Sequence, residues 1–386
     1  MNPVHLEKAV ALRHELHAHP ALSLEEAPTM ARLIAFLREH TTLEIVERGA
    51  WFYALYRAGE GAESIAFRAD MDALPMAEEP DLPYASQAPG VSHRCGHDGH
   101  CAALALLAME IDEQGSEKNV YFIFQHAEEI GAGGRVCAAL IREAGISRVY
   151  AFHNWSGFPQ SGVVLIHGVA QCASMGYTVL LHGRAAHAGQ PGDGANPSEA
   201  LARLLLALPG IHGAADYRGH IWLTVVGFGA GGRNFGMAAA EGYLAMTLRA
   251  EYEEDLRAMQ EKIHALAAEL AEEYGLGLDT EEQDVFPTTA NDEEELRRVR
   301  AAAEELGLPI IERRDPILPS EDFGYYLKEC PGALVYVGNG EDYPAIHTAC
   351  YDFNDAILPA VTELFLRLAG GACGSGADSC PALKLT

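Results

Sequence analysis

Between residues 51 and 168 the chain sets short apolar runs between more polar stretches. The runs are WFYALYRA, SIAFRAD, NVYFIFQHA, RVYAFHN and GVVLIHG, and turns or stretches of helical spacing such as 101–113 and 135–144 separate them. Apolar runs of this length bounded by turn residues predict strands, and the intervening helical stretches predict an α/β arrangement around a central mixed sheet with flanking helices. Ahead of them, MNPVHLEKAVALRHELHAHP places Val4, Leu6, Ala9, Val10, Leu12 and Leu16 mostly at helical spacing, an amphipathic helix. From about Cys172 the order changes. A strand MGYTVLLHGRA, a helix near 197–208, strands HIWLTVVGFGA and GYLAMTLRAEY, a helix over 253–274 and a strand near 276–285 spell β-α-β-β-α-β, the ferredoxin-like split motif. Helix 291–306, strand ALVYVGN and a helix near 355–369 then resume the first pattern. The chain thus reads as one domain built from 1–172 and 286–386, interrupted by an inserted α+β domain over 173–285, whose ends must lie close together.

A length of 386 residues fits this two-domain reading, being too great for one ordinary core. The longest apolar run, CAALALLAM at 101–109, falls short of the roughly 18 residues of a membrane span, and the start shows no basic region followed by an apolar core. Against 55 acidic residues stand 27 basic ones, so a nucleic acid would meet repulsion over most of the surface. Eight cysteines form no compact framework, which predicts reduced thiols and a cytoplasmic protein. Two of them, Cys373 and Cys380, lie in GGACGSGADSCPALKLT, whose composition predicts a flexible tail.

Candidate chemistry concentrates in HRCGHDGH, residues 93–100. If Cys95-Gly96-His97 is extended, thiolate and imidazole point to one face and reach the same ion. Asp98 is then the expected N-cap of the helix starting near Cys101, whose N-terminus would lower the thiol's pKa. A Cys-x-His pair alone is weak evidence, since such motifs also occur on solvated loops. The rest of the chain supplies partners. Asp70, Glu128 and His153 are expected just past strand ends, where functional groups of α/β sheets gather. In FQHAEEIGAGGR the adjacent acids Glu128 and Glu129 precede a glycine-rich turn; such a pair usually marks a charged loop, but neighbouring side chains diverge, so one on metal and one on a water is the sharper reading. His153 and His347 each follow an apolar run, where a lone histidine is more often structural. Together with Cys95, His97 and one glutamate they make five ligands, enough for two ions if one bridges. His187 reads as a surface histidine at a strand end, though the Gly- and Pro-rich loop after it has the composition of a ligand-facing hinge.

Taken in order, RADMDALP, CGHDGH, AEE with its glycine-rich turn, GRAAHA, SEDFGYY and HTACYDF resemble the aminoacylase–carboxypeptidase family of dinuclear metallo-amidohydrolases. The nearest branch is that of hippurate hydrolases and N-acyl-amino-acid deacetylases, and the likeness runs from RHELHAHPALSLEE to the last helix. It implies a zinc-peptidase-like catalytic domain with an inserted lid that also dimerises. It further implies two divalent ions (Zn, Mn, Co or Ni) on Cys95, His97, Glu129, His153 and His347, with Cys95 bridging. Glu128 would be the general base, Asp70 a supporting carboxylate, and His187 a group reaching the partner's site to bind the oxyanion. The implied reaction is metal-dependent hydrolysis of an N-acyl amino acid, a small-molecule substrate. A non-catalytic metal-binding relative and a metallo-dipeptidase or carboxypeptidase of the same fold are the alternatives. Three positions depart from related patterns: Arg68-Ala-Asp70 stands where the carboxypeptidase branch has His-x-Asp, His126 stands where proline is usual, and RNFGMAAAEG keeps only Asn234 of a lid segment that would contact substrate.

Overall fold

A computed structural model of the chain describes residues 1–79, 81–213 and 216–370; the segment with Cys373 and Cys380 lies outside them. Eight strands form the central sheet, in the order Glu44–Glu47, Phe52–Tyr56, Asn119–Gln125, Ser64–Asp70, Arg148–Ser156, Gly332–Gly340, Val163–Ile166 and Ile310–Arg313. Ser64–Asp70 is parallel to both of its neighbours, and Gly332–Gly340 is parallel to Arg148–Ser156. The reason the strands read as unbroken apolar runs is burial on both faces. Ile65, Phe67, Phe122, Phe124, Tyr150, Phe152 and Val335 enter one core, which five helices cover: Pro3–Ala18, Ala27–His40, His97–Gln114, Glu293–Glu305 and Leu358–Ala369. Their alternates Ala66, Tyr121, Ile123, Val149, Ala151 and Leu334 enter the other, with Leu140, Ile141 and Tyr326 from short helices. Among the described residues no helix is long and apolar enough to cross a membrane.

Three local expectations are corrected. The first helix does pack, but Val4 is exposed while Arg13 and His17 are buried on its inner face. Their charges are matched: Arg13 donates to Asp355 and Asp352 at 2.8 Å, and His17 Nδ1 lies 2.8 Å from Asp98 Oδ2. The stretch 135–144 is two short helices, Gly133–Cys137 and Ala139–Ala144. Cys95-Gly96-His97 is not extended. The helix begins at His97, Gly96 is its left-handed N-cap at φ +99°, and Asp98 lies within the first turn.

Ala173–His182, Ile221–Ala230, Glu241–Ala250 and Gly277–Phe286 form a second, antiparallel sheet. Met175, Tyr177, Val179, Leu181, Leu244, Met246 and Leu248 share a separate core with the helices Ser198–His212 and Glu253–Tyr274. The chain enters and leaves this unit side by side, since Val169–Gln171 pairs with Thr289–Ala290.

Candidate metal centre

Parallel strands end together, so Ser64–Asp70, Asn119–Gln125 and Arg148–Ser156 deliver their last residues to one edge of the sheet. Asp70 closes the first strand, and the turn with Glu128 and Glu129 follows the second. His153 is the exception to the strand-end expectation: it lies inside Arg148–Ser156, with its side chain still at this edge. The helix His97–Gln114 starts here too. A Cβ on Gly96 would fall 2.6 Å from Asn154 Oδ1 and 2.7 Å from the Tyr351 hydroxyl, and with φ +99° only glycine fits. That left-handed residue, rather than an extended segment, turns Cys95 and His97 toward one centre.

Cys95 Sγ lies 3.3 Å from His153 Nε2. On its other side Cys95 shares a cluster with Glu129 and His347, whose Nε2 is 3.7 Å from Glu129 Oε1. His97 Nε2 lies 3.7 Å from Glu129 Oε1 and 3.9 Å from Glu128 Oε2. All five expected ligands and Glu128 therefore converge. Asp70 supports from beside them, accepting from Arg68 Nη1 at 2.6 Å and meeting His100 Nδ1 at 2.5 Å, with His97 Nε2 3.8 Å away. His347 takes a left-handed conformation, φ +58°, fixed by its N–H donating to the Arg94 carbonyl at 2.7 Å.

Ring orientation is set from behind. His97 Nδ1 lies 3.0 Å from the Asp72 carbonyl oxygen and 3.2 Å from Asp72 Oδ1, and His153 Nδ1 lies 2.8 Å from the Asn154 carbonyl. A proton on each Nδ1 leaves both Nε2 lone pairs facing the centre. His97 Nε2 and Glu129 Oε1 are buried and have no hydrogen-bond partner among the described residues. Orphaned acceptors next to a thiol and two further imidazoles are what a cation would satisfy, so these residues fit a metal site.

Electrostatics agree. Burial opposes charge on His97, but Asp70, Asp72 and Glu129 outweigh it and push its pKa up to about 10. Burial, opposed by His97 and helped by Asp72 and Asp70, raises Glu129 to about 7. Burial and the Glu129, Glu128 and Asp70 carboxylates raise the Cys95 thiol, opposite to the lowering expected from a helix N-terminus. Without a cation, the centre therefore holds protons that metal binding would release. Glu128 is raised well above the carboxylate range by burial and by Glu321, Glu129, Asp322 and Asp70.

Several residues at the site escaped the sequence reading. Asp72 orients His97 and also accepts from Ser23 and from the Glu129 N–H. Arg68 is a buried junction whose guanidinium donates to Gln125, Asp70, Glu321 and Asp322. Asp72, Glu321 and Asp322 sit within RADMDALP and SEDFGYY, so acids recurring beside apolar runs were the available signal. His187 and Asn234 do not join the cluster within this chain. His187 lies exposed on the ribbon of Ala186–His187 with Met237–Ala238, its Nδ1 accepting from the Gly189 N–H, and exposed Asn234 accepts from the Gly236 N–H.

The turn that carries both glutamates is held by close packing. A Cβ on Gly133 would lie 1.6 Å from the His126 carbonyl oxygen, a contact only backbone movement relieves. Gly133→Ala should therefore destabilise by ~3 kcal/mol or more and depress activity. Thermal unfolding checks it, and a Tm within a degree of the unchanged protein would show that the turn relaxes freely.

The family model described as peptidase family M20/M25/M40 matches residues 66–370. An uncharacterised hydrolase of Staphylococcus aureus (strain USA300) is 30% identical over 380 residues, covering 94% of this chain and 97% of its own. The N-acetylcysteine deacetylase of Bacillus subtilis (strain 168) is 27% identical over 370 residues, covering 94% and 96%. Among solved structures, the Bacillus subtilis YXEP protein, a dinuclear metal binding peptidase from the M20 family, superposes with a TM-score of 0.79 at 25% identity, covering 96% and 98%. The match spans both the strands that deliver Asp70, Glu128 and His153 and the loop with His347, and it places the chain in peptidase family M20/M25/M40, a hydrolase of amide bonds.

Proposed function

We propose that the protein hydrolyses the amide bond of N-acyl amino acids, with N-acetyl, N-benzoyl or similar acyl groups, using two divalent ions per subunit. The observation that carries this is the double membership of Cys95, which clusters with His97 and His153 on one side and with Glu129 and His347 on the other. A thiolate between two donor sets is suited to bridge two ions. The dinuclear YXEP protein and the N-acetylcysteine deacetylase support the reading. When bound, such ions supply Lewis acidity, which polarises a carbonyl and eases the ionisation of water.

The chain's own groups do the rest. Glu128, buried among carboxylates that raise its proton affinity, takes a proton from the attacking water and delivers it to the departing amine. Asp70, clamped by Arg68 and His100, holds its place beside His97. His187 and Asn234 belong to the inserted unit, 173–285, which we read as a lid that also dimerises. Its edge strand, its ribbon and the turn between them leave Val226, Met237 and Phe235 exposed at 65%, 54% and 92%, an apolar surface for a second subunit. From there His187 would stabilise the oxyanion in the partner's site and Asn234 would contact the substrate's carboxylate or amide.

Incubation with N-acetyl, N-benzoyl and dipeptide substrates plus Mn²⁺, Co²⁺ or Zn²⁺ tests the activity. Cleavage of dipeptides with the N-acyl amino acids untouched would replace this reading by a peptidase one. Elemental analysis of protein purified without chelator should find two divalent ions per chain, and fewer in Cys95→Ala and in His97→Ala. Full occupancy in both variants would remove the cluster as the metal site.

A further inference from the structure

Beside the metal centre a pocket of about 250 Å³ opens, lined by Trp155, Ser156, Pro319, Ala345, Ile346 and His347. Its volume lies below the ~300–1,000 Å³ of pockets that enclose a whole drug-sized ligand, so it suits part of a substrate. Trp155 joins it to the centre from the other side, its ring edge-on to His153 at 5.8 Å and to Tyr336 at 5.7 Å. The pocket's polar character is small. Ser156 Oγ donates to the Pro344 carbonyl at 2.6 Å and accepts from Asn339 Nδ2 at 3.3 Å, so its hydroxyl is already engaged. Apart from His347, no ionisable side chain among the described residues lines it. This neutrality contrasts with the carboxylate-rich centre next door.

We infer that this pocket receives the acyl group of the substrate and selects apolar acyl groups larger than acetyl, a conclusion that rests on the N-acyl-amino-acid reading. The two halves of such a substrate differ in charge. The amino-acid half carries a carboxylate one carbon from the amide nitrogen and needs a cation or donor set near it. The acyl half carries no charge and gains from burial against Trp155, Ile346, Pro319 and Ala345. A half-open, largely apolar space touching His347 therefore matches the acyl half. Trp155, Pro319, Ala345 and Ile346 become specificity-determining residues without touching the reacting atoms.

The test is kcat/KM for acetyl, butanoyl, hexanoyl and benzoyl derivatives of one amino acid. Each methylene that enters should raise kcat/KM about threefold to fourfold until the pocket is full. Ala345→Trp and Pro319→Trp fill the space from two different segments. In metal-replete protein, both should lower kcat/KM for the hexanoyl and benzoyl substrates by ~10-fold or more and change the acetyl value by less than ~3-fold. Binding without turnover gives a second readout: hexanoyl and benzoyl substrates added to Glu128→Gln should perturb tryptophan fluorescence, and Trp155→Phe in that background should remove most of the signal. Hydrolysis with no dependence on acyl length overturns the pocket and leaves the proposed function standing. So does a gradient that both filled variants retain, or one that follows the amino-acid side chain instead. No hydrolysis of any N-acyl amino acid overturns both.

Discussion

Glu128→Gln should lower turnover by at least ~10²-fold while metal content and thermal stability stay close to those of the unchanged protein. The amide keeps the shape of the carboxyl group but cannot accept the proton of an attacking water. Glu129→Gln should behave differently, losing metal first and activity as a result. The two neighbours share a cluster with His97 but differ in their other company: Glu128 also clusters with Glu321 and Asp322, whereas Glu129 clusters with Cys95 and His347. Glutamine at 128 also removes one of several crowded buried carboxylates, so little loss of stability is expected. Elemental analysis and kcat measured side by side decide the assignment. Metal loss in Glu128→Gln, with metal retained in Glu129→Gln, would exchange the two roles.

Subunit mixing should restore activity to two nearly inactive proteins. On the proposal that the protein is a dimer and needs both groups, His187→Ala and Glu128→Gln each lack one of them in both sites. If His187 serves the partner's centre, a heterodimer has one site with both groups present and one with neither. Recovery of up to about half the activity of the unchanged protein per heterodimer is the expected ceiling, because one of two sites is whole. Within a single chain the His187 ring is exposed and, among the described residues, engaged by the Gly189 N–H alone, which leaves it available to a partner subunit. Heterodimers verified by mass that stay inactive would place His187 in its own chain's site or outside catalysis.

Much of the fold was legible because both faces of the central strands are buried, which leaves apolar runs bounded by turns. The second unit was legible for the opposite reason: Met175, Tyr177, Val179 and Leu181 alternate with less buried positions. The residues that converge as candidate ligands could be named because soft and borderline donors are rare in apolar surroundings. Their local conformation could not. Whether Cys95-Gly96-His97 is extended depends on Asn154 and Tyr351 closing around Gly96, a contact between distant segments. The buried Arg13 and His17 were hidden for the same reason, since their matching charges Asp98, Asp352 and Asp355 lie far along the chain. Asp72 and Arg68 act on other site residues rather than standing out as donors themselves. The motifs that hold them could flag their positions, but packing was needed to give their roles.

The order of strands in the central sheet has a consequence for synthesis. Among the described residues Val163–Ile166 pairs with Gly332–Gly340 and Ile310–Arg313 alone, both made after the inserted unit. While the ribosome is still translating that unit, Arg148–Ser156 is an open sheet edge and Val163–Ile166 has no neighbour in the sheet. An unpaired edge is a template for pairing with another chain, so the nascent protein is most exposed to misassembly in this interval. The second unit can fold meanwhile on its own core. When Gly332–Gly340 emerges it closes the sheet, and His347 follows it within the same stretch of chain. A nascent chain stopped before that strand would therefore lack both the closed sheet and one residue of the proposed metal site, so metal uptake would wait until this strand and the loop after it have been made.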